Sequence, residues 1–105
     1  MADEVLANNN KPEYVICAAI HFKDGEQHVH QPKNITEGFV ICGRRHHNCF
    51  IAKRWTEYSE VKGLQVQGFL TSKDNFLDRK EAGALAFKAG QISEETDCLF
   101  SEDLY

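Results

Sequence analysis

No stretch of the 105-residue chain approaches the roughly 20 consecutive apolar residues of a membrane-spanning helix, so no membrane partner is expected. Proline is scarce, at two, and glycine stands at only seven. Neither a disordered chain nor a disulfide scaffold fits that composition. The four cysteines (Cys17, Cys42, Cys49, Cys98) include no Cys-x-x-Cys pair and the five histidines no His-x3-His pair, so the spacings of familiar zinc sites are missing. There is also no nucleophile elbow, no phosphate-gripping glycine loop and no carboxylate pair at a telling spacing. The opening "MADEVLANNNKPE" lacks a positive n-region and an apolar h-region, from which a reducing cytoplasmic location with free cysteines is expected.

What is present describes one soluble globular unit. Apolar residues make up 42% of the chain and charged residues 27%. The length supplies one core and not two, so a sizeable ligand would sit at a surface or between subunits. The net charge of −4 conceals a division. Residues 44–90 carry nine basic residues against five acids, whereas the last fifteen carry five acids and no base. All four arginines (Arg44, Arg45, Arg54, Arg79) fall in the basic middle, and arginine is the side chain suited to bidentate recognition of phosphate or carboxylate. Either the middle forms a confined anion site, or it neutralises the acidic ends within the fold.

Residues 1–13 read as a disordered lead-in and 14–105 as a single α+β domain. "EYVICAAIHF" reads as a buried strand, "KDGE" as a tight hairpin turn, and "QHVHQP" as a short returning strand stopped by Pro32. "FVICG" reads as a third strand. His47, Phe50, Ile51, Arg54, Trp55 and Tyr58 then follow helical spacing, predicting a helix over about 46–58 with that apolar face inward. "LQVQGFLTS" alternates as a strand, and "SKDN" is the turn after it. In "FLDRKEAGALAFKAGQ", Asp78 stands as N-cap with Glu81 three residues on, and Gly90 sits where a helix ends. "CLFSEDLY" is a terminal strand or a single helical turn. The fold class expected is α+β, a small antiparallel sheet with two helices packed on one face.

The chemistry concentrates in "CGRRHHNCF", residues 42–50. A mixed His/Cys zinc site drawn from His28, His30, Cys42, His46, His47 and Cys49 has the wrong spacing, and Cys17, Cys42 and Cys49 read as small core residues. His46 or His47 acting as general base near Cys49 would make a small phosphoryl-handling hydrolase, without the usual motifs in support. Anion recognition fits best. A strand ends, glycine permits a turn, two arginines follow, and a helix begins, so guanidinium and backbone N–H groups converge. "NFLDR" repeats this with Phe76 beside Arg79, although Phe76 could instead be a staple and Arg79 a surface residue. The expected ligand-binding residues are therefore Arg44, Arg45, His46, His47, Phe76 and Arg79, with no metal, no cofactor and no catalytic residue. An RNA- or protein-binding module is the third reading, disfavoured for nucleic acid by the pI of about 5.7.

With "AAIHFKDG", "GRRHHNCF", "GFLTSKDNFLDRKEAGALAFKAGQI" and "LFSEDLY" in this order, residues 14–105 resemble the first type of Thoeris anti-defence protein, a phage-encoded sponge family. The resemblance implies a non-enzymatic protein of the host cytoplasm that binds a small cyclic nucleotide-type ligand, such as a cyclised ADP-ribose isomer, without cleaving it. It also implies a homo-oligomer, dimers assembling into hexamers, with pockets at subunit interfaces.

Overall fold

The computed structural model describes residues 12–56 and 63–105. Four strands, β1 (Val15–Lys23), β2 (Phe39–Gly43), β3 (Leu64–Thr71) and β4 (Phe76–Asp78), form one antiparallel sheet in the order β2-β1-β3-β4. Helices α1 (His46–Arg54) and α2 (Arg79–Lys88) precede a single last turn, α3 (Ser101–Leu104). The α+β class with both longer helices on one sheet face is as expected. Residues 1–11 of the anticipated lead-in lie outside the described residues. At its end Glu13 accepts hydrogen bonds from Thr71 Oγ1 and Asn75 Nδ2, which hold its carboxyl below the ordinary glutamate range.

β1 is apolar along its length because both of its faces are covered. Val15, Ala18, Ile20 and Phe22 face the helices together with Phe69, Cys49, Ala82, Ala86 and Leu99. A bulge at Ile16, where the register jumps between Val15 and Cys17, returns Val15 to the core side and leaves Ile16 exposed. The opposite face carries Ala19 and His21 and is covered by residues 24–38.

That covering segment overturns one expectation. The Asp-Gly turn forms, with Asp24 Oδ1 accepting the Glu26 N–H at 2.9 Å and Gly25 at φ +79°. "QHVHQP", however, does not return as a strand and makes only an isolated bridge between Gln27 and Gly38. A strand there would have had little to bury, since Val29, its one large apolar residue, is 78% exposed. "FVICG" takes the place beside β1 and stacks Phe39 on Phe22, ring centroids 5.2 Å apart. The displaced segment crosses the sheet. Asn34 clamps both the N–H and the carbonyl of Phe76, at 2.8 and 2.6 Å, and the Lys33 N–H bonds the Asp74 carbonyl. The three-residue β4 that this clamp secures was not foreseen, because "FLD" is too short to show a period.

α1 is also rotated from its expected orientation. Its buried residues are His46 and Cys49, with Phe50 half-buried, whereas Ile51 is 45% and Trp55 87% exposed. The Asn48 side chain accepts the Arg45 N–H at 3.0 Å and so fixes how the helix leaves β2. Small Cys49 then seats against the Ala18 carbonyl. Residues 57–62, including Tyr58 at the end of the anticipated helix, lie outside the described residues.

α2 begins as the sequence predicts. Asp78 Oδ1 accepts the Glu81 N–H at 2.8 Å, Glu81 Oε1 accepts the Asp78 N–H at 3.1 Å, and Gly90 at φ +75° ends it. From there the chain doubles back. The Gln91 amide ties both main-chain groups of Val15 at 2.8 Å, the Thr96 carbonyl comes so close to Gly83 that any Cβ there would overlap it, and Leu99 is fully buried.

Candidate functional site

The last seven residues bring the arginines together. The turn after β2 presents Arg44 and Arg45, the first turn of α2 presents Arg79, and the chain from Leu99 to Tyr105 lies among them. Arg45 donates from Nη2 to the main-chain oxygen of Tyr105 at 2.5 Å and from Nη1 to Ser101 Oγ at 3.4 Å, with Glu102 3.8 Å away. Arg79 donates to the Leu99 carbonyl and to Gln67 Oε1, each at 2.6 Å. Both arginines also lie over rings, Arg45 5.0 Å from the centroid of Tyr105 and Arg79 4.8 Å from that of Phe100. Arg44 lies over the same tyrosine at 5.8 Å and is exposed, while its carbonyl accepts the Tyr105 hydroxyl.

His46 joins this group from beneath. Its Nε2 donates to the Gly68 carbonyl at 2.8 Å, which leaves Nδ1 as the acceptor facing Arg79 Nη2 at 3.4 Å. Burial, reinforced by the Arg79 charge, pushes its pKa down, so the ring is neutral at pH 7. His47, the next residue, is exposed at the start of α1. Phe76 is not part of the group. It is buried on the other face of the sheet, edge-on to His21 at 5.7 Å, where the Asn34 clamp fixes it. Four of the six anticipated residues, Arg44, Arg45, His46 and Arg79, thus meet around residues 99–105, with His47 at their rim.

The two aromatic residues that do meet the arginines, Phe100 and Tyr105, were passed over in the sequence. "LFSEDLY" is otherwise acidic and lies far from the basic middle, so only the fold joins them. Cys49 is buried as expected of a core cysteine, but Cys42, expected there too, is exposed, because β2 is an edge strand and Cys42 points to the face away from the helices. Burial pushes the Cys49 thiol up to about 11, which makes it a poor nucleophile for the adjacent histidines.

Other features of the surface lie elsewhere. A cleft of about 510 Å³ beside residues 91–96 is lined by Glu94, Glu95 and Asp103, a poor setting for an anion. Another, about 660 Å³, runs along the outer side of α2 past Lys80, Phe87 and Lys88. The arginine group lies on neither wall. Among the described residues, the set that could hold a metal ion is Asp24, Glu26 and His28, with one donor atom each within 4.8 Å of the others. His28 Nε2 and Asp24 Oδ2 are already paired at 2.7 Å, and the Asp24 pKa is lowered by the Glu26 N–H and then by His28. The mixed His/Cys set considered from sequence is not assembled among those residues. No described helix is long and apolar enough to cross a membrane.

No curated protein and no solved structure matches the chain. A family model described as phage T4 y16D protein matches residues 14–105, the span of the folded domain and nearly the whole chain. On that match the chain belongs to the phage T4 y16D protein family.

Proposed function

We propose that this phage protein binds and sequesters a small nucleotide-type anion, of the cyclic nucleotide or cyclic ADP-ribose class, without cleaving it. The observation that carries the reading is the meeting of Arg44, Arg45 and Arg79 with the rings of Tyr105 and Phe100 beside the start of α1. Guanidinium groups match phosphates and an aromatic face matches a base. The neighbouring titratable groups suit binding better than turnover. His46 is neutral with both ring nitrogens engaged, and Cys49 is protonated and enclosed.

The arginine group sits on open surface rather than in a cleft, and a nucleotide lying there would stay half solvated. A second copy closing over it would exclude that water. The reading therefore includes a homo-oligomer with the ligand at the interface, and the resemblance to the Thoeris anti-defence family implies that it is built from dimers into hexamers. The runner-up is a small phosphoryl-handling hydrolase using the exposed His47.

To separate these, the full chain is incubated with a cyclic ADP-ribose isomer and, separately, with a cyclic dinucleotide. The protein is then heat-denatured and the supernatant analysed. Depletion of free ligand followed by intact release supports sequestration. A converted product points to the hydrolase, and no depletion of either ligand refutes the binding reading for these classes. Native mass measurement of the same samples reads the oligomer.

A further inference from the structure

Three side chains of the segment that covers the sheet converge on one point. Asp24, Glu26 and His28 alternate along the chain, and one donor atom from each, two carboxylate oxygens and an imidazole nitrogen, lies within 4.8 Å of the other two. Asp24 Oδ2 and His28 Nε2 stand 2.7 Å apart, with only 10% and 12% of their side chains exposed. Glu26 is exposed and opens the group to solvent. Contacts outside the group hold it in this shape. The Glu26 carbonyl accepts the Gly38 N–H at 2.7 Å, Gln27 bridges to Gly38, and the His28 ring stands edge-on to Phe39, which is itself stacked on Phe22. Gly38, at φ +79°, approaches the Phe22 carbonyl so closely that a Cβ there would overlap it. The loop is thus fixed against β1 and β2 before any ligand arrives.

We propose that Asp24, Glu26 and His28 form a binding site for one divalent first-row transition-metal cation, zinc above all. Two carboxylates against one imidazole leave an excess of negative charge whether or not the imidazole is protonated, and Asp24 carries its share of it enclosed. A bound cation cancels that excess. The donor types choose the cation: an imidazole nitrogen suits zinc and its neighbours, whereas magnesium and calcium take oxygen ligands. One nitrogen and two carboxylate oxygens make three protein ligands, the number that leaves one position of a tetrahedral zinc open.

The spacing fits with little movement. Bonds of about 2.0–2.1 Å at a tetrahedral angle set neighbouring donors roughly 3.3 Å apart. From their present 2.7 Å, Asp24 Oδ2 and His28 Nε2 part by about 0.6 Å, and the exposed Glu26 side chain swings in to complete the set. The cation replaces the hydrogen that Nε2 and Oδ2 share. No cysteine belongs to the set, so the site is separable by spectroscopy from any binding to the thiols.

The test uses the reduced full chain, stripped of metal by a chelator, then titrated with zinc chloride by calorimetry and with cobalt chloride by absorption. The expected result is one equivalent bound, a raised Tm, and visible cobalt bands without the near-ultraviolet charge-transfer band of thiolate ligation. Magnesium in excess should not displace the zinc. Asp24→Asn and His28→Gln should each weaken binding by roughly tenfold or more, since loss of even a partner that supports a ligand costs about 10–100-fold. Glu26→Gln, at an exposed position where folding is not at risk, should do the same. His30→Gln and Cys98→Ser, both exposed and outside the set, should leave the affinity unchanged. No zinc binding by the folded chain, a thiolate band, displacement by magnesium, or an affinity unmoved by Glu26→Gln and His28→Gln would each overturn the proposal.

Discussion

Replacing Arg79 by alanine tests whether the arginine at the start of α2 holds the end of the chain in place. The guanidinium makes two short bonds, to the Leu99 carbonyl and Gln67 Oε1, and lies 4.8 Å over Phe100. Hydrogen bonds to a charged group contribute about 1.5–3 kcal/mol each. A half-exposed cation–π contact adds about 0.5–1 kcal/mol. These terms share one side chain and do not add, and water re-solvates part of what is left unpaired. The expected loss is therefore about 2–4 kcal/mol, a large share of the ~5–15 kcal/mol of a small domain. Urea unfolding should show a lower midpoint at unchanged m value. The His46 imidazole, relieved of the Arg79 charge, should titrate higher, though not fully to the ordinary histidine value, because burial is the larger cause of its depression. Arg79→Lys, which keeps the charge and loses the fork, should recover about half of the stability. A loss below ~0.5 kcal/mol in Arg79→Ala would mean that the guanidinium is solvated and the last residues are held by buried Leu99 and the Arg45 bonds instead.

The other consequences are simpler to read. Gly83→Ala sets helix propensity, which favours alanine by about 1 kcal/mol, against the overlap of its Cβ with the Thr96 carbonyl; a net destabilisation of about 1–2 kcal/mol is expected, and a raised Tm would show that residues 91–98 can retreat. Asp78→Ala should cost about 1 kcal/mol through loss of the Glu81 N–H bond, and an unchanged Tm would remove the cap from the account. Arg44→Ala should weaken nucleotide binding by about 1.5–3 kcal/mol with little change in Tm, whereas Arg45→Ala should lower both, as it also severs Tyr105 and Ser101; equal melting behaviour in the two variants would contradict this division. The His46 pKa is depressed in the fold, so on acidification the unfolded chain takes up that proton first. Its stability contribution is intact above about 6.5 and is lost as pH falls through the folded value, at no more than ~1.4 kcal/mol per pH unit. Denaturation series between pH 7.5 and 5 should show this slope and its absence in His46→Gln.

Local signals were legible in the sequence where they were chemically redundant. Asp78, Glu81 and Gly90 each specify an end of α2, and all three act as their residue types demand. Signals that depend on competition were not. "QHVHQP" and "FVICG" both read as strands, but only one can take the edge of β1 that β3 leaves open, and the choice turns on apolar area: Phe39 has Phe22 to stack on and Val29 has no such partner. The face of α1 failed for a related reason. Counting apolar side chains favoured Ile51 and Trp55, whereas close approach to the sheet selects the small Cys49, with the rotation set by the Asn48 bond to Arg45.

The proposed anion site was half legible, and its charge distribution explains which half. Two accounts of the basic middle were open, a ligand site or neutralisation of the acidic end. The arginines differ in how far the fold engages them. Arg45 and Arg79 hold main-chain oxygens of residues 99–105, and of the two only Arg45 has an acid of the tail beside it, Glu102 at 3.8 Å. Arg44 and His47 face outward at the same turn, and Tyr105 offers its ring next to Arg44. An anion arriving there meets one guanidinium directly and draws on Arg45 only by competing with Tyr105. A single protomer therefore presents too few unengaged donors for tight capture of a diphosphate, and a second copy of the turn would double them. On that ground the proposed affinity and the proposed oligomer belong together. A variant that remains monomeric should bind weakly even with every arginine in place, which ligand depletion across a dilution series, read beside native mass at each concentration, measures directly.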